Sequence, residues 1–437
     1  VPRGRTRITP MSREEPNNTP IDTTLAANIL RNNDRGGYTI PTDGLYPFQW
    51  SWDSALVALG WMRIDESRAW EEAETMFRGQ WDNGMVPHIL FHKDAESYFP
   101  GPDVWGNRQP IPSSAISQPP VWATAIRLLY EQSLDRELAD AKLRLLLPKL
   151  IAYHEWWYRE RDPENTGLVC SYHPWESGMD NSPAWDAPLA AVPEVDWSYQ
   201  RRDLGHVDSD QRPHKPEYDR YLYLVDLYKR YHFDSQKIYS NCPYKVADIG
   251  IIAILHRASK DLIDLCRMTS QSDGVEALQT GLDRTASAID SLWSDDKRCF
   301  LSRDLITGRS LDEVTTATVL PLFGNLTSKQ QSEMILALID EWLGDTTFGL
   351  SSTHPSSARY EPRRYWRGPV WPHINWIIAQ SALEHGRPEI AERLRGATLA
   401  CIQASGFWEY FDADTGAGCG GDDFSWTAAI ALYWLAN

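Results

Sequence analysis

The chain has 437 residues, with 43 Lys and Arg against 60 Asp and Glu, which gives a formal net charge of −17. This charge repels nucleic-acid phosphates and anionic lipid headgroups, so it argues against nucleic-acid and membrane-surface roles. The sequence also lacks an apolar run approaching the roughly 18 residues that span a bilayer. We therefore expect a soluble protein, with the cytoplasm as its default location.

Residues 1–10 are typical of a tag remnant with a protease site, so residues 11–437 are predicted to form the native chain. No low-complexity linker, sharp repeat or charge block divides these residues, which predicts a single domain. The six cysteines are scattered without a CxxC pair and are predicted to be reduced thiols.

Helical periodicity recurs along most of the chain. Ala69, Trp70, Ala73 and Phe77 recur at the spacing of one helix face, and Gly79 ends that segment. In chain order, the predicted helices cover residues 55–62, 69–77, 121–130, 148–157, 218–228, 249–266, 275–293, 330–343, 371–383, 388–402 and 426–435. Because no strand alternates regularly with them, the pattern predicts an all-α fold.

Short segments rich in Trp, Tyr, Gln, Asp and Arg lead into five of these helices. The segments are residues 49–53, 117–120, 212–219, 365–371 and 423–426. If the five helices form the inner ring of an α/α barrel, their N-terminal ends share one face and line one cavity. The plain alternative is helix capping, for which Asp53 and Ser54 would serve. Capping does not account for the aromatic rings in four of the five segments.

Three carboxyl-bearing segments lie among aromatic residues. Asp180 and Glu176 share an irregular Gly/Ser/Asn/Pro loop, Glu409 follows Phe407-Trp408, and Asp53 follows a tryptophan. Glycosidic bond hydrolysis needs two carboxyl groups, one protonated and one ionised, and apolar walls raise a carboxyl pKa toward working pH. Taken singly, each segment is equally typical of an acidic loop in any acidic protein.

Other chemistries find less support in the sequence. His88 and His92 are four residues apart, but no Glu or third ligand accompanies them, which favours a packing or surface role. Neither a GxSxG elbow nor a phosphate-binding GxxxxGK loop occurs. We therefore predict no metal site.

At these segments the chain resembles glycoside hydrolase family 63, above all its small mannosylglycerate and glucosylglycerate hydrolases. The resemblance runs from about residue 26 to the C-terminus. It rests on the ordered strings WSWDSA, NGMVPHILF, SYFPGP, SQPP, WESGMDNSPAWD, SDQRP with EYDRYL, YWRGPVW, FWEYFD and FSWTAA. It implies an (α/α)6 barrel, a single catalytic domain with inserted loops capping the active-site face, inverting hydrolysis and no cofactor.

By motif position, the resemblance implies Asp180 as the general acid and Glu409 as the general base. It further implies substrate-binding roles for Trp52, Asp53, Tyr98, Gln118, Trp175, Gly178, Arg212, Tyr218, Tyr365, Trp366, Trp371 and Trp426. Among these, Trp52 and Asp53 would hold the sugar, with Trp366 and Trp371 as further walls. The glycerate would meet Tyr98, Gln118, Arg212 and Tyr218. Segment 418–423 is not matched to the family pattern.

An acidic aglycone needs local cations, because a chain at net −17 does not attract a carboxylate through its overall field. Arg212, Arg363, Arg364 and Arg367 lie in or beside the aromatic segments, and arginine can clamp a carboxylate through two hydrogen bonds. The alternative is that these arginines pair with nearby acids and serve the fold alone.

We therefore predict an inverting α-glycosidase that cleaves 2-O-α-mannosylglycerate or 2-O-α-glucosylglycerate to hexose and glycerate. The predicted partner is this small glycoside alone, without nucleic acid or membrane, and a homo-oligomer stays open. The alternatives are another α/α-toroid glycosidase (a trehalase or an oligosaccharide α-glucosidase) and an inactive sugar-binding protein. The sequence does not separate manno from gluco preference, because the two hexoses differ in one axial or equatorial hydroxyl.

Overall fold

Helices make up most of the computed structural model, which describes residues 21–94 and 96–436. The predicted tag remnant at residues 1–10 lies outside this part. The helices are α1 (Thr23–Asn33), α2 (Ser51–Trp61), α3 (Glu66–Arg78), α4 (Pro102–Trp105), α5 (Trp122–Gln132), α6 (Arg136–Glu160), α7 (Asp186–Ala190), α8 (Lys215–Arg230), α9 (Ser235–Asn241), α10 (Ile249–Met268), α11 (Val275–Ala288), α12 (Lys329–Asp345), α13 (Pro372–Glu384), α14 (Pro388–Ser405) and α15 (Ser425–Ile430). A π-helical turn, Ala431–Leu435, continues α15.

In the described part of the chain, nine two-residue strands lie in the loops between these helices. They are β1 (Gln49–Trp50), β2 (Ile89–Leu90), β3 (Cys170–Ser171), β4 (Val246–Ala247), β5 (Trp293–Ser294), β6 (Cys299–Phe300), β7 (Arg303–Asp304), β8 (Tyr410–Phe411) and β9 (Gly418–Cys419). All pairings are antiparallel, in the order β1-β2, β3-β4-β7, β5-β6 and β8-β9.

The helices form two concentric layers. The inner layer consists of α2, α5, α10, the 3-10 turn Thr316–Val319, α13 and α15, and neighbours pack side by side in the order α13, α15, α2, α5, α10 and the turn. The outer layer consists of α1, α3, α6, α11, α12 and α14. The chain alternates between the layers, which is the predicted (α/α)6 barrel. Every residue of α2 is buried, as expected of a helix enclosed on all sides, whereas α3 buries one face only.

Several helix boundaries differ from their predictions for local reasons. The predicted helix 148–157 is the second half of α6, which runs straight through Pro148 although an interior proline usually breaks a helix. The predicted helix 275–293 ends at Ala288 and passes into a 3-10 turn before β5. The periodicity did not reveal α1, which Asp22 caps by accepting a hydrogen bond from the Leu25 amide.

Two long insertions cap one end of the barrel. Residues 91–121 carry α4, and residues 161–248, called here the large insert, carry α7, α8 and α9. The insertions share a second apolar core around Trp105, Tyr221 and Tyr228, where α4 packs on α8. The prediction that segment 212–219 opens an inner helix is therefore wrong. Helix α8 belongs to the cap, because its apolar face meets this second core.

None of the helices in the described residues combines the length and the apolar character that crossing a membrane requires.

Candidate active site

A cavity of about 860 Å³ opens at the barrel end where four of the inner helices begin. The cavity brings together thirteen of the fourteen predicted site residues, which come from inner helix starts, the loops before them and both insertions. They are Trp52, Asp53, Tyr98, Gln118, Trp175, Gly178, Asp180, Arg212, Tyr218, Tyr365, Trp366, Glu409 and Trp426.

Trp371 is the predicted site residue that does not line the cavity. Its ring lies parallel to that of Trp366, with the centroids 3.9 Å apart and an interplanar angle of 3°. Its indole N–H donates to the carbonyl of Tyr365 at 3.1 Å. Trp371 therefore supports the wall from behind, and Trp366 presents the aromatic surface. Tyr365 itself has a φ of +40°, a conformation that is uncommon for residues with a β-carbon.

Glu409 is held in the hairpin formed by β8 and β9. We call residues 409–421 the base hairpin. The Glu409 amide donates to the Gly421 carbonyl at 2.8 Å, and the Gly421 amide donates to Glu409 Oε2 at 3.2 Å. The Tyr46 hydroxyl donates to Oε1 at 3.0 Å. Burial raises the pKa of Glu409 to about 7, although the charge of Arg212 and these hydrogen bonds oppose the rise.

The glycine-rich segment 418–423, unmatched by sequence, forms the second strand of the base hairpin and the turn that follows. Gly420 has a φ of +76°, and a β-carbon built there would lie 2.3 Å from Glu409 Oε2. Only a residue without a side chain allows the backbone to approach the carboxylate so closely. The segment therefore shapes the carboxylate site of Glu409.

Asp180 projects from an irregular turn of the large insert. The turn needs Gly178, whose φ is +67° and whose added β-carbon would lie 2.8 Å from the Trp52 indole. The Tyr221 hydroxyl donates to the Asp180 carbonyl at 2.7 Å, which fixes the backbone. The carboxyl stays half-buried at the cavity wall. Burial raises its pKa to about 6, with Arg212 again opposing the rise.

The other acid in this turn, Glu176, has a structural environment. It is fully buried and forms an ion pair with buried Arg161, with 2.5 Å between Oε1 and Nη2. Its Oε2 accepts from the Tyr172 amide at 2.9 Å. Glu176 therefore anchors the turn that carries Asp180 and does not line the cavity.

Asp53 is the third carboxyl of the cavity and lies in the first turn of α2. Its side chain is buried, and the pKa is raised well above the ordinary value by burial and by the nearby Glu409 carboxylate. Next to it, the Trp52 amide donates to Gln118 Oε1 at 3.2 Å, so Gln118 secures the start of the helix.

Arg212 lines the cavity and is almost fully buried, and its charge lowers the pKa of both Asp180 and Glu409. Its Nε donates to Asp203 at 3.2 Å, its Nη1 donates to the Tyr46 hydroxyl at 2.7 Å, and its guanidinium lies 4.4 Å above the Tyr365 ring. These two hydrogen bonds use two of the five guanidinium N–H groups, so Nη1 and Nη2 retain N–H groups that can donate to a ligand. The two-bond clamp predicted from the sequence stays a prediction.

The other predicted cations do not line the cavity. Arg367 pairs with Asp186 at 2.8 Å and with Glu361 at 3.1 Å, and Arg364 pairs with Glu361 at 2.8 Å. For these two arginines, the alternative of a purely structural role fits the contacts.

Tyr98 and Tyr218, which the sequence predicts to meet the glycerate, both line the cavity. The Tyr218 hydroxyl donates to the carbonyl of Phe99 at 2.9 Å, so this hydroxyl can accept a hydrogen bond from a ligand but has no second proton to donate. Tyr98 packs edge-on against Trp50, with ring centroids 5.3 Å apart. Both rings are held in place by protein contacts before any ligand binds.

The sequence matches the family model of the mannosylglycerate hydrolase MGH1-like glycoside hydrolase domain over residues 46–427. The chain belongs to this family. It is therefore a glycoside hydrolase, as the sequence predicted, and both catalytic candidates lie within the matched range.

Curated and solved relatives of this glycoside hydrolase cover almost its whole length. Mannosylglycerate hydrolase MGH1 of Selaginella moellendorffii is 45% identical, covering 93% of this chain and 84% of that protein. Glucosylglycerate hydrolase of Mycolicibacterium hassiacum is 35% identical, covering 94% of this chain and 96% of that protein. The GH63 mannosylglycerate hydrolase of Thermus thermophilus in complex with Tris and D-glycerate aligns with a TM-score of 0.91 at 45% identity, covering 94% of this chain and 99% of that chain. The predicted resemblance to family 63 is confirmed.

In this family 63 enzyme, the cavity also contains residues that the sequence did not single out. The most informative are Tyr46, which contacts both Glu409 and Arg212, and Asp203, which accepts from Arg212. Tyr46 stands three residues before segment 49–53, so its position was a usable signal. Asp203 lies in an irregular loop of the large insert, where no periodicity marks it. His88, for which the sequence favoured a packing or surface role, is buried and also lines the cavity, and its Nδ1 is hydrogen-bonded to the Ser114 hydroxyl at 2.6 Å.

Proposed function

We propose that this enzyme is an inverting α-glycosidase that hydrolyses 2-O-α-mannosylglycerate or 2-O-α-glucosylglycerate. The observation that carries the proposal is one aromatic-walled cavity that contains two carboxyls of raised pKa, Asp180 and Glu409, together with buried Arg212. Two carboxyls supply the acid and the base of glycoside hydrolysis, and the arginine supplies a partner for an acidic aglycone.

In the proposed reaction, the hexose stacks on Trp52 and Trp366 and its anomeric carbon lies between the carboxyls. Asp180 donates its proton to the bridging oxygen as the bond to the anomeric carbon breaks, and glycerate leaves with that proton. Glu409 accepts a proton from water, whose oxygen bonds to the opposite face of the anomeric carbon. The products are glycerate and the β-anomer of the hexose.

The proposed roles need Asp180 protonated and Glu409 ionised, whereas the free enzyme has a pKa of about 6 at Asp180 and about 7 at Glu409. Binding of a substrate carboxylate shifts the two pKa values toward the required order, in which the pKa of Asp180 is the higher one. The carboxylate binds on the leaving-group side, next to the acid, and a negative charge raises the pKa of the nearer carboxyl more strongly because Coulomb interactions weaken with distance. The anionic aglycone thus helps to keep Asp180 protonated.

The substrate class is supported by the names of the relatives, which include mannosylglycerate and glucosylglycerate hydrolases at 45% and 35% identity. The Thermus thermophilus enzyme, with D-glycerate in its complex, supports glycerate as the aglycone. We also propose a single catalytic domain over residues 11–437, because residues 180 and 409 contribute to one cavity.

A panel of α-glycosides with product analysis tests this function. The panel contains both glycerate glycosides, trehalose and maltose, and it is run on the wild type, Asp180→Asn and Glu409→Gln. We expect the wild type to release glycerate and each variant to lose about 10²–10⁴-fold in kcat. Hydrolysis of trehalose or maltose alone would favour another toroid glycosidase. Binding without hydrolysis would favour an inactive sugar-binding protein.

A further inference from the structure

A short turn of the large insert contacts the base hairpin. The 3-10 turn Ser209–Gln211 is followed by Arg212, and both Gln211 and Arg212 reach the surroundings of Glu409. The Gly420 amide donates to Gln211 Oε1 at 2.9 Å, and the Tyr410 hydroxyl donates to the Gln211 carbonyl at 2.8 Å. Arg212 adds the hydrogen bond to Tyr46 described above. The insert that carries Asp180 therefore also contacts the residues that hold Glu409.

We infer that Gln211 is a positioning residue for the general base, an inference that rests on the proposed function. Gln211 fixes the amide of Gly420, and the next amide, that of Gly421, donates to Glu409 Oε2. The Gly420 backbone passes close to the base, since a β-carbon built there would lie 2.3 Å from Glu409 Oε2. Displacement of this backbone therefore displaces the carboxylate.

The environment of Gln211 favours this role over simple loop anchoring. The side chain of Gln211 is buried. Among the described residues, the hydrogen bond of this side chain is the one that its Oε1 accepts from the Gly420 amide. Loop anchoring is also served by the backbone carbonyl of Gln211, which a side-chain substitution leaves in place. Loss of the side-chain acceptor therefore acts on the base hairpin and leaves the attachment of the turn intact.

Because Gln211 precedes Arg212, one turn contacts both the base and the arginine proposed to meet the aglycone. The charged and titratable groups that face Glu409 come from several elements. They are Tyr46, Asp53, Asp180, Arg212, Tyr365 and Tyr410. A new charge at position 211 would join this set from the side of the base hairpin.

The experiment compares Gln211→Met, which keeps the length without the acceptor, with Gln211→Glu, which keeps the acceptor and adds a negative charge. We expect Gln211→Met to lower kcat about five- to tenfold, in line with the loss of one hydrogen bond, with KM within about twofold. Gln211→Glu should keep most of kcat at high pH, while the acidic limb of the kcat profile moves to higher pH. That shift follows because a second carboxylate disfavours ionisation of Glu409.

Gln80→Met is the matched control. Gln80 donates to the carbonyls of Gly84 and Lys149, both at 2.8 Å, and does not line the cavity. Its loss should lower Tm without changing kcat or the pH profile. If Gln211→Met behaves like this control, the positioning role is overturned.

Infrared titration of the Glu409 carboxylate, identified by its disappearance in Glu409→Gln, gives a readout that needs no substrate. Gln211→Glu should raise the pKa of that carboxylate. If the wild type hydrolyses no glycoside, the proposed function fails but this titration still decides the inference. An unchanged titration in both Gln211 variants overturns it.

Discussion

Arg212 variants, compared on a charged and an uncharged substrate, separate recognition of the aglycone charge from the other effects of that arginine. Arg212→Ala removes the donor facing the cavity and leaves the substrate carboxylate among Asp180, Asp203 and Glu409 without a cation. Truncating one partner of a buried charge pair costs about 2–5 kcal/mol, or roughly 30- to 5,000-fold in kcat/KM. Part of the loss is independent of the aglycone, because Arg212 also lowers the pKa of Glu409.

The assay measures kcat/KM for the glycerate glycoside and for its methyl ester on wild type, Arg212→Lys and Arg212→Ala. The ester should be a poor substrate of the wild type, yet lose little more in Arg212→Ala. Arg212→Lys should recover part of the acid's rate, because an ammonium lacks the planar fork. The double comparison gives the coupling directly. If the losses from esterification and from substitution simply add, Arg212 does not contact the carboxylate, and the reasoning for an acidic aglycone fails.

Four further outcomes are expected. NMR during turnover should detect β-hexose first, because the base drives water onto the face opposite the leaving group, and α-hexose would refute inversion. The kcat/KM profile should be bell-shaped with apparent pKa values of about 6 and 7 that belong to the Asp180 and Glu409 pair, and a flat profile from about pH 5 to 9 would contradict this. Gly420→Ala should reduce kcat at least about tenfold, since its β-carbon meets Glu409 Oε2, and unchanged kinetics would contradict the packing described. The pKa of Glu409 is about 4.5 in the unfolded chain and about 7 in the folded one, so the carboxyl ionises in the unfolded chain at lower pH. The contribution of Glu409 to the free energy of unfolding therefore falls by about 3 kcal/mol as pH rises from about 4.5 through 7. Chemical denaturation of Glu409→Gln should lack that part of the fall, and a parallel pH dependence would refute the assignment.

The sequence located most of the cavity because its residues stand beside helix starts. Trp52, Asp53 and Trp426 each lie in the first turn of an inner helix, so an aromatic or acidic residue at that position reaches the barrel end. Gln118 and Trp366 lie a few residues before such starts. Once an α/α barrel is assumed, the positions of these residues relative to the helix starts therefore predict that they meet in one cavity.

Contacts made across the fold were not predictable in the same way. The stack of Trp371 behind Trp366 depends on the path of the turn between them, and two tryptophans in one segment look alike in the sequence. The engagement of Arg212 by Asp203 and Tyr46 depends on how the large insert lies over the barrel. Helix α8 has the same periodicity as an inner helix, and only its packing partner, the second apolar core, reveals its place in the cap.

The division of the cavity between the barrel and the large insert has a consequence for how this enzyme can change over evolutionary time. Of the tryptophans proposed to hold the hexose, Trp52 lies in the first turn of α2 and Trp366 in the loop before α13, so both belong to the buried barrel, where a substitution disturbs the packing of the ring. Arg212 and Tyr218 lie on an insertion with its own apolar core. Mutations there can alter the choice of leaving group while the sugar-holding part is inherited unchanged. New glycosides of the same hexose are thus the direction in which descendants of this scaffold diversify most readily.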